Sequence, residues 1–278
     1  MSPHRIIWVT IVALLFTVKT TTVNAQTTPE ASAAFKAGYA LYVQGYHSQA
    51  IAKFNEAITL DPSKHYFYYN RGLAYKATGN KGAAQNDFNR SIALNPTAEA
   101  HYQVGMLCYE KEDYECARQN FEFAKIIKDD LEKMNFCLGM IYYRSENYVR
   151  AAECFHAYTK VEKNQPEAYY YRGMSEAKLG NYEGAIYSFK FALRYKDNDW
   201  TYYYKMYEFY MALGDKQNAL NSISMVIEIG ERKVEYFEKR ADLYRELAID
   251  FKLQEDLLEI QKLKDHPELS TTAATTVR

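Results

Sequence analysis

Cysteine is the residue type in this 278-residue chain best suited to metal or redox chemistry, and there are four. Cys108, Cys116, Cys137 and Cys154 form no C-x-x-C pair and have no paired histidines, so the spacing predicts no metal site. In an oxidising compartment they can form one or two disulfides, with three possible full pairings that the sequence leaves open. The alternative is that all four are small apolar core residues.

The chain lacks the short motifs that carry catalysis. Its six histidines are scattered, and no H-E-x-x-H, G-x-S-x-G or phosphate-binding loop is present. A catalytic site would therefore have to be built from residues that also serve the fold. We expect no enzymatic activity and no cofactor.

The charge balance argues against nucleic acid as a partner. The chain carries 34 Lys and Arg against 35 Asp and Glu, a formal net charge of −1, with no basic block. Proteins that bind nucleic acid present concentrated positive charge to the phosphates. Tyrosine is abundant, at 27 residues, and 48% of the chain is hydrophobic, which is enough for a substantial core.

The elements that must position any site follow from an internal repeat of 33 or 34 residues. A small residue recurs at Gly38, Gly72, Gly105, Gly139 and Gly173, and then weakens to Tyr207 and Ala241. Sixteen residues after each of these stands a large apolar residue: Phe54, Phe88, Phe121, Phe155, Phe189, Ile223 and Leu257. We call the second series the wedge residues. A small residue opposite a wedge residue predicts two closely packed helices per repeat.

Glycine and short polar residues mark the turn between the two helices. Gly45, Gly79, Gly180 and Gly214 stand where a left-handed residue ends the first helix. The predicted N-caps of the second helices are Asn80, Asp113, Asn147, Asn181 and Asp215. First helices are predicted near 31–44, 65–78, 98–111, 132–145, 166–179, 200–213 and 234–247. Second helices are predicted near 47–59, 81–94, 114–127, 148–161, 182–195, 216–229 and 250–263.

This pattern resembles the tetratricopeptide repeat (TPR) family, which has a small residue at position 8, alanine at 20 and 27 and an aromatic residue at 24. The resemblance covers residues 31–267, in repeats near 31–64, 65–97, 98–131, 132–165, 166–199, 200–233 and 234–267. The last two are degenerate, as expected for capping repeats. The resemblance implies an all-α fold, a right-handed α-solenoid of about seven stacked antiparallel helix pairs.

The segments outside the repeats carry predictions of their own. Residues 1–25 have the layout of a secretory signal peptide: a short basic start, an apolar run over 6–18, and small residues before Gln26. We therefore expect an exported protein, periplasmic or secreted after cleavage near Ala25, with an N-terminal membrane anchor as the alternative. Residues 26–30 are predicted as a linker and residues 268–278 as a disordered tail.

The resemblance also implies a binding surface, because the first helices of this family line a concave groove. Transferred to this chain, the lining includes a series of tyrosines and methionines with one leucine: Tyr39, Tyr42, Tyr69, Leu73, Tyr102, Met106, Tyr109, Met140, Tyr143, Tyr170 and Met174. Methionine suits surfaces that accept varied apolar side chains. The alternative is that neighbouring first helices simply pack these side chains against one another.

Glu176 stands at the usual tyrosine position of the fifth repeat. We expect its carboxylate either to reach solvent or to meet a cation such as Lys178 or Lys205. A functional carboxylate at the groove is the less favoured interpretation.

The function predicted from the sequence is an exported, non-enzymatic scaffold that binds a protein or peptide segment in the groove. Two alternatives belong to other classes: a self-associating structural subunit of a cell-envelope assembly, and a glycan-binding protein that uses the tyrosine-rich surface. Envelope association and the oligomeric state stay open. The Lys and Asn residues with which some family members clamp a C-terminal carboxylate are largely missing here, so that mode of binding is not expected.

Overall fold

A computed structural model describes residues 27–128 and 133–271 of the chain. These residues form fourteen α-helices and a short 3₁₀ helix, and they contain no strand. The first helices of the seven repeats are α1 (Pro29–Val43), α3 (His65–Ala77), α5 (Ala98–Glu110), α7 (Met134–Arg144), α9 (Pro166–Lys178), α11 (Trp200–Ala212) and α13 (Val234–Glu246). The second helices are α2 (His47–Leu60), α4 (Lys81–Leu94), α6 (Tyr114–Ile127), α8 (Tyr148–Val161), α10 (Tyr182–Leu193), α12 (Lys216–Ile229) and α14 (Asp250–Asp265).

The helices stack in chain order. Each first helix packs on the second helix of its own repeat, and each second helix packs on the first helix of the next repeat. Predicted and observed helix ends differ by about two residues or fewer. The all-α solenoid predicted from the repeat is confirmed.

The wedge residues set the distance between the two helices of a repeat. Phe54, Phe88, Phe121, Phe155 and Phe189 are completely buried. In the first five repeats the glycine lies directly under the phenylalanine ring, and a Cβ added at Gly139 would lie 2.7 Å from a ring carbon of Phe155. Glycine is therefore required at this position by a close approach of the ring to the helix backbone.

The hairpin turns follow the predicted chemistry in four repeats and depart from it in three. Gly45, Gly79, Gly180 and Gly214 have φ between 73° and 85°, the left-handed region that glycine tolerates. The other three turns place Glu112, Glu146 and Ala248 in the same region, with φ of 55° to 61°. All five predicted N-caps accept a hydrogen bond from a backbone N–H three residues further on: Asn80, Asp113, Asn147, Asn181 and Asp215.

The fourth repeat starts late. Helix α7 has 11 residues, while the other first helices have 13 or 15, and it follows Lys133, whose φ is 58° and whose side chain makes no capping hydrogen bond. Residues 129–132, just before it, lie outside the described part of the chain. Among the described helices, α6 and α7 pack less extensively than any other second helix with the first helix that follows it.

The structure describes only parts of the segments predicted to flank the repeats. The predicted signal peptide, residues 1–25, lies outside the described residues, as do residues 272–278. Helix α1 begins at Pro29, inside the segment predicted as a linker. Pro267–Thr271 forms a 3₁₀ helix whose Leu269 packs on the core, so this part of the predicted tail is helical. Among the helices described, none is both long and apolar enough to cross a membrane.

Candidate binding surface on the first helices

The first helices of successive repeats touch one another through their side chains. Phe35 of α1 stacks on Phe67 of α3, with ring centroids 5.1 Å apart, and the Lys76 ammonium donates to Gln103 Oε1 of α5 at 2.8 Å. Further along, three contacts continue the row: Met106 with Cys137, Tyr143 with Tyr171, and Tyr170 with Tyr202. We call the surface formed by the predicted lining residues of these helices the first-helix face.

Part of the aromatic series on this face is structural. Phe35, Tyr69, Tyr102, Phe136 and Tyr170 each place their ring 5.5–6.0 Å from the wedge phenylalanine of their own repeat. Aromatic pairs at this separation stabilise the fold beyond the area that they bury. Tyr69, Tyr102 and Tyr170 are nevertheless only half-buried, so each also presents surface outward.

Exposure separates the predicted lining residues into three groups. Tyr39 is 51% exposed, and nine others are half-buried: Tyr42, Tyr69, Leu73, Tyr102, Met106, Tyr109, Tyr143, Tyr170 and Met174. Met140 is only 8% exposed and belongs to the core, because the short α7 is buried along most of its length. Met140 therefore offers almost no surface for a ligand, unlike Met106 and Met174 at the same repeat position.

A depression of about 470 Å³ opens where α9 and α11 begin. Its lining includes Tyr170 of the first-helix face, together with the neighbouring Glu167 and Thr201. Lys196 forms its edge and is paired with Asp199 at 2.7 Å. The first-helix face thus has relief on the scale of one or two side chains.

The hydroxyls of Tyr69, Tyr109 and Tyr143 on this face are neutral at physiological pH. Burial raises the pKa of all three, and on the neighbouring helix α11 it raises the pKa of Tyr204 to about 12, where Glu235 and Glu208 add to the effect. A neutral phenol donates one hydrogen bond and accepts others. The face therefore combines apolar rings with hydroxyl groups able to bond a peptide backbone.

Charges at the edges of the face are paired within the protein. Lys81 meets Glu110 at 2.8 Å, Lys128 meets Glu99 at 3.7 Å, and Lys205 meets Glu208 at 2.8 Å. Each of these pairs joins opposite charges, so these six residues add no single-sign field that would select a highly charged ligand.

Comparison with known proteins agrees with this architecture. A family model described as "TPR repeat" matches residues 38–79, and two described as "Tetratricopeptide repeat" match residues 65–98 and 138–203. These segments of the chain are therefore tetratricopeptide repeats. No curated protein sequence matches it significantly.

Solved structures of other proteins share the fold at low sequence identity. YrrB, described as a TPR protein with an unusual peptide-binding site, has a TM-score of 0.56 and 21% identity, over 63% of this chain and 91% of YrrB. The C-terminal part of a TPR repeat-containing protein from Cytophaga hutchinsonii has a TM-score of 0.54 and 19% identity, over 84% and 96%. MamA has a TM-score of 0.52 and 19% identity, over 62% and 95%.

Glu176, at the usual tyrosine position of the TPR, takes a different partner from those expected. Its carboxylate accepts from Arg172 Nε at 3.1 Å and from Ser188 Oγ at 2.7 Å, so the cation is neither Lys178 nor Lys205. Arg172 stands one turn earlier on the same helix, a spacing that favours ion pairs. Glu176 is buried and satisfied inside its repeat and makes no contribution to the first-helix face.

Two arginine–aspartate ion pairs, which sequence reasoning missed, join the first and second helices of their repeats. Arg71 pairs with Asp87 and Arg240 with Asp256, each through two nitrogens at 2.6–2.9 Å. In each pair the arginine precedes the small residue of its repeat and the aspartate precedes the wedge residue. The occurrence of arginine and aspartate at these two repeat positions is the sequence signal that could have predicted the ion pairs.

The cysteines resolve into one disulfide and two buried residues. Cys108 of α5 is bonded to Cys116 of α6, with Cα atoms 5.8 Å apart, while Cys137 and Cys154 are buried in the core. Asp113 brings a carboxylate oxygen within 4.8 Å of both bonded sulfurs, which would be three ligands if the thiols were reduced. The bonded sulfurs are not thiolates, so in this state the cluster is not a metal site.

A second cavity, of about 460 Å³, lies behind the first-helix face between α6, α7 and α8. At its edge the Tyr142 hydroxyl donates to Glu122, and Arg150 Nη1 donates to Tyr142 Oη at 3.0 Å and to Glu122 Oε1 at 3.2 Å. Ile126, 81% exposed, stands on its rim. The cavity follows from the late start of α7, a feature that the regular repeat did not predict.

Proposed function

We propose that this chain is an exported, non-enzymatic scaffold that binds an apolar segment of another protein on its first-helix face. The observation that carries the proposal is a continuous row of half-buried tyrosines and methionines on first helices that contact one another. Tyrosine gives apolar area at low entropy cost and a hydroxyl for directional bonds, and methionine adapts to apolar side chains of varied shape. YrrB, a structural neighbour, is itself described as having a peptide-binding site.

The spacing of the helices suggests what the segment looks like. Packed helices lie about 8–10 Å apart, and an extended chain advances about 3.3 Å per residue. A peptide crossing successive first helices would therefore meet a new lining side chain roughly every third residue. We infer an extended partner segment with large apolar side chains at intervals of three and few charges between them.

Export and the lack of catalysis rest on other features. The apolar N-terminal run with its small-residue exit supports export, and the Cys108–Cys116 disulfide fits an oxidising compartment. Among the described residues, the buried carboxylates Asp87, Glu176 and Asp256 are each engaged by an arginine of their own repeat. The repeats account for almost all of the described chain, which supports a binding role.

The experiment is a screen of the purified chain against synthetic twelve-residue peptides that carry leucine or phenylalanine at every third position. Binding is measured by fluorescence polarisation for the native chain and for the double variant Met106→Lys/Met174→Lys. We expect the double variant to bind at least about tenfold more weakly, with unchanged helical circular dichroism, because buried lysines cost several kcal/mol unless they are paired.

The matched control is Phe123→Lys, which alters an exposed residue on the second helix α6. It should leave peptide affinity unchanged. Equal affinity of the native chain and the Met106/Met174 double variant, both folded, would refute the assignment of the first-helix face. Met140 is left intact, because a lysine at this buried position would test folding and not binding.

A further inference from the structure

Helix α14 exposes large apolar residues at two positions that are mostly polar in the other second helices. Phe251 and Leu258 are 74% and 73% exposed and stand seven residues apart, on one face of the helix. At the position of Phe251 the other second helices have Ser48, Gly82, Glu115, Val149, Glu183 and Gln217. At the position of Leu258 they have Asn55, Asn89, Glu122, His156, Lys190 and Ser224.

Leu257, the wedge residue of the seventh repeat, adds to this surface. The six preceding wedge residues are completely buried, whereas Leu257 is 39% exposed. In the other repeats the next first helix packs on the second helix, and after α14 the described chain continues only as the short 3₁₀ helix. Phe251, Leu257 and Leu258 thus form an unpartnered apolar surface, which we call the α14 face.

Charges on the α14 face are arranged to complement their own copy. Glu255 and Lys262 flank Leu258, point to the same side of the helix and are more than half exposed. Each makes one long ion pair on its own helix, Glu255 with Lys252 at 3.7 Å and Lys262 with Glu259 at 3.9 Å, which leaves oxygens and protons for a further partner. If two copies of α14 are laid antiparallel about a two-fold axis next to Leu258, Glu255 of each copy faces Lys262 of the other. Both ion pairs form at once, with Leu258 of the two copies in contact between them.

We propose that the α14 face is a self-association surface, on which α14 of a second copy of this chain packs in antiparallel orientation. Isologous pairing of this kind closes after two copies and leaves no repeating contact. The chain's own residues 272–278 contain one large apolar side chain, Val277, too few to cover three. Since α14 is a second helix, dimerisation leaves the first-helix face of both copies open.

Sedimentation equilibrium of the full chain over about 1–200 µM tests the proposal. We expect a monomer–dimer equilibrium, and Leu258→Glu should raise the dimer dissociation constant at least about tenfold. The matched control is Val149→Glu, which places the same charge on an exposed apolar residue of α8. Helical circular dichroism verifies folding. A native chain that stays monomeric at 200 µM, or a Leu258→Glu chain that dimerises like the native one, overturns the proposal.

Charge exchange tests the antiparallel geometry itself. Glu255→Lys alone and Lys262→Glu alone should each weaken self-association, because each creates two like-charge contacts across the axis. A mixture of these two variants should form a mixed dimer, because both contacts then pair opposite charges. Failure of the mixture to associate more tightly than either variant alone overturns the assigned pairing. Single variants that associate as tightly as the native chain also overturn it, because a parallel pairing would already place like charges opposite each other.

Discussion

At the scale of single residues, the contact between Gly139 and Phe155 shows how a repeat holds its two helices together. The ring lies so close to the α7 backbone that a Cβ at Gly139 would sit 2.7 Å from it. Four other repeats have the same glycine under the same ring. The recurring glycine and phenylalanine in the sequence therefore reflect one steric contact that is made in each of these repeats.

Replacing Gly139 by alanine should destabilise the protein. Alanine favours the helix by up to about 1 kcal/mol over glycine, but overpacking against the buried Phe155 costs typically 1–3 kcal/mol. We expect a net loss of about 1 kcal/mol or more in the free energy of unfolding, measured by urea denaturation. Gly82→Ala is the control, because nothing lies within 4 Å of its added Cβ. Equal effects of the two substitutions would contradict the steric account.

Burial of the Cys137 thiol gives the protein a pH-dependent stability. Burial raises the pKa of Cys137 from 9.0 to about 11. The folded state therefore prefers the protonated thiol, so this contribution is complete below pH 9 and is lost as the pH rises towards 11. The free energy of unfolding should fall by roughly 2 kcal/mol over that window because of this group, and the urea midpoint should fall with it. A Cys137→Ala chain should lose less over the same pH range, and an identical loss would contradict this origin.

At the scale of elements, the hairpin turns explain both what sequence reasoning captured and what it missed. The four turns with glycine were predicted. Glu112, Glu146 and Ala248 adopt the same left-handed conformation, and the sequence did not predict it because no glycine stands at these positions. The neighbouring caps and close helix packing impose that geometry on side chains that disfavour it.

Ala248→Gly should therefore stabilise the seventh repeat. A left-handed conformation costs an L residue about 1–2 kcal/mol, and the extra unfolded-state entropy of glycine offsets part of the gain. We expect a net increase of about 0.5–1 kcal/mol in unfolding free energy. The reverse change, Gly45→Ala, should destabilise, since no atom lies within 4 Å of its added Cβ and only backbone strain acts. Opposite signs in a urea titration confirm the reasoning, and equal signs contradict it.

The disulfide between α5 and α6 makes a separate prediction for the third repeat. Closing a loop of about eight residues stabilises by roughly 2–3 kcal/mol in the chain-entropy description. A thiol-reactive dye should label two cysteines in denaturant without reductant and four after reduction, and reduction should lower the thermal midpoint. Four labelled cysteines before reduction, in the chain isolated from an oxidising compartment, would exclude the bond.

At the scale of the whole molecule, periodicity predicted the architecture and left the surface undetermined. The positions of Gly, Ala and Phe fixed the helix ends to about two residues, because each marks a contact that every repeat must make. Exposure is different, since it depends on neighbours: Met140 and Met174 share a repeat position, yet only Met140 is buried. The late start of α7 and the open α14 face are likewise departures from the period, so a pattern defined by the period could not contain them.

The two proposed surfaces lie on different types of helix. We propose that the first helices present tyrosine and methionine to a partner segment, and that the last second helix presents the exposed Phe251, Leu257 and Leu258 to another copy. A dimer would then hold two first-helix faces in one particle, and bivalent binding would raise the apparent affinity for a partner with two segments.

The most direct test of the central claim is methyl NMR of the methionine side chains during titration with a peptide from the screen. Met106 and Met174 lie on the first-helix face, and Met225 lies on the second helix α12. We predict that the methyl signals of Met106 and Met174 shift progressively with peptide while that of Met225 does not. Shifts confined to Met225, or peptide binding that moves neither Met106 nor Met174, would contradict the account.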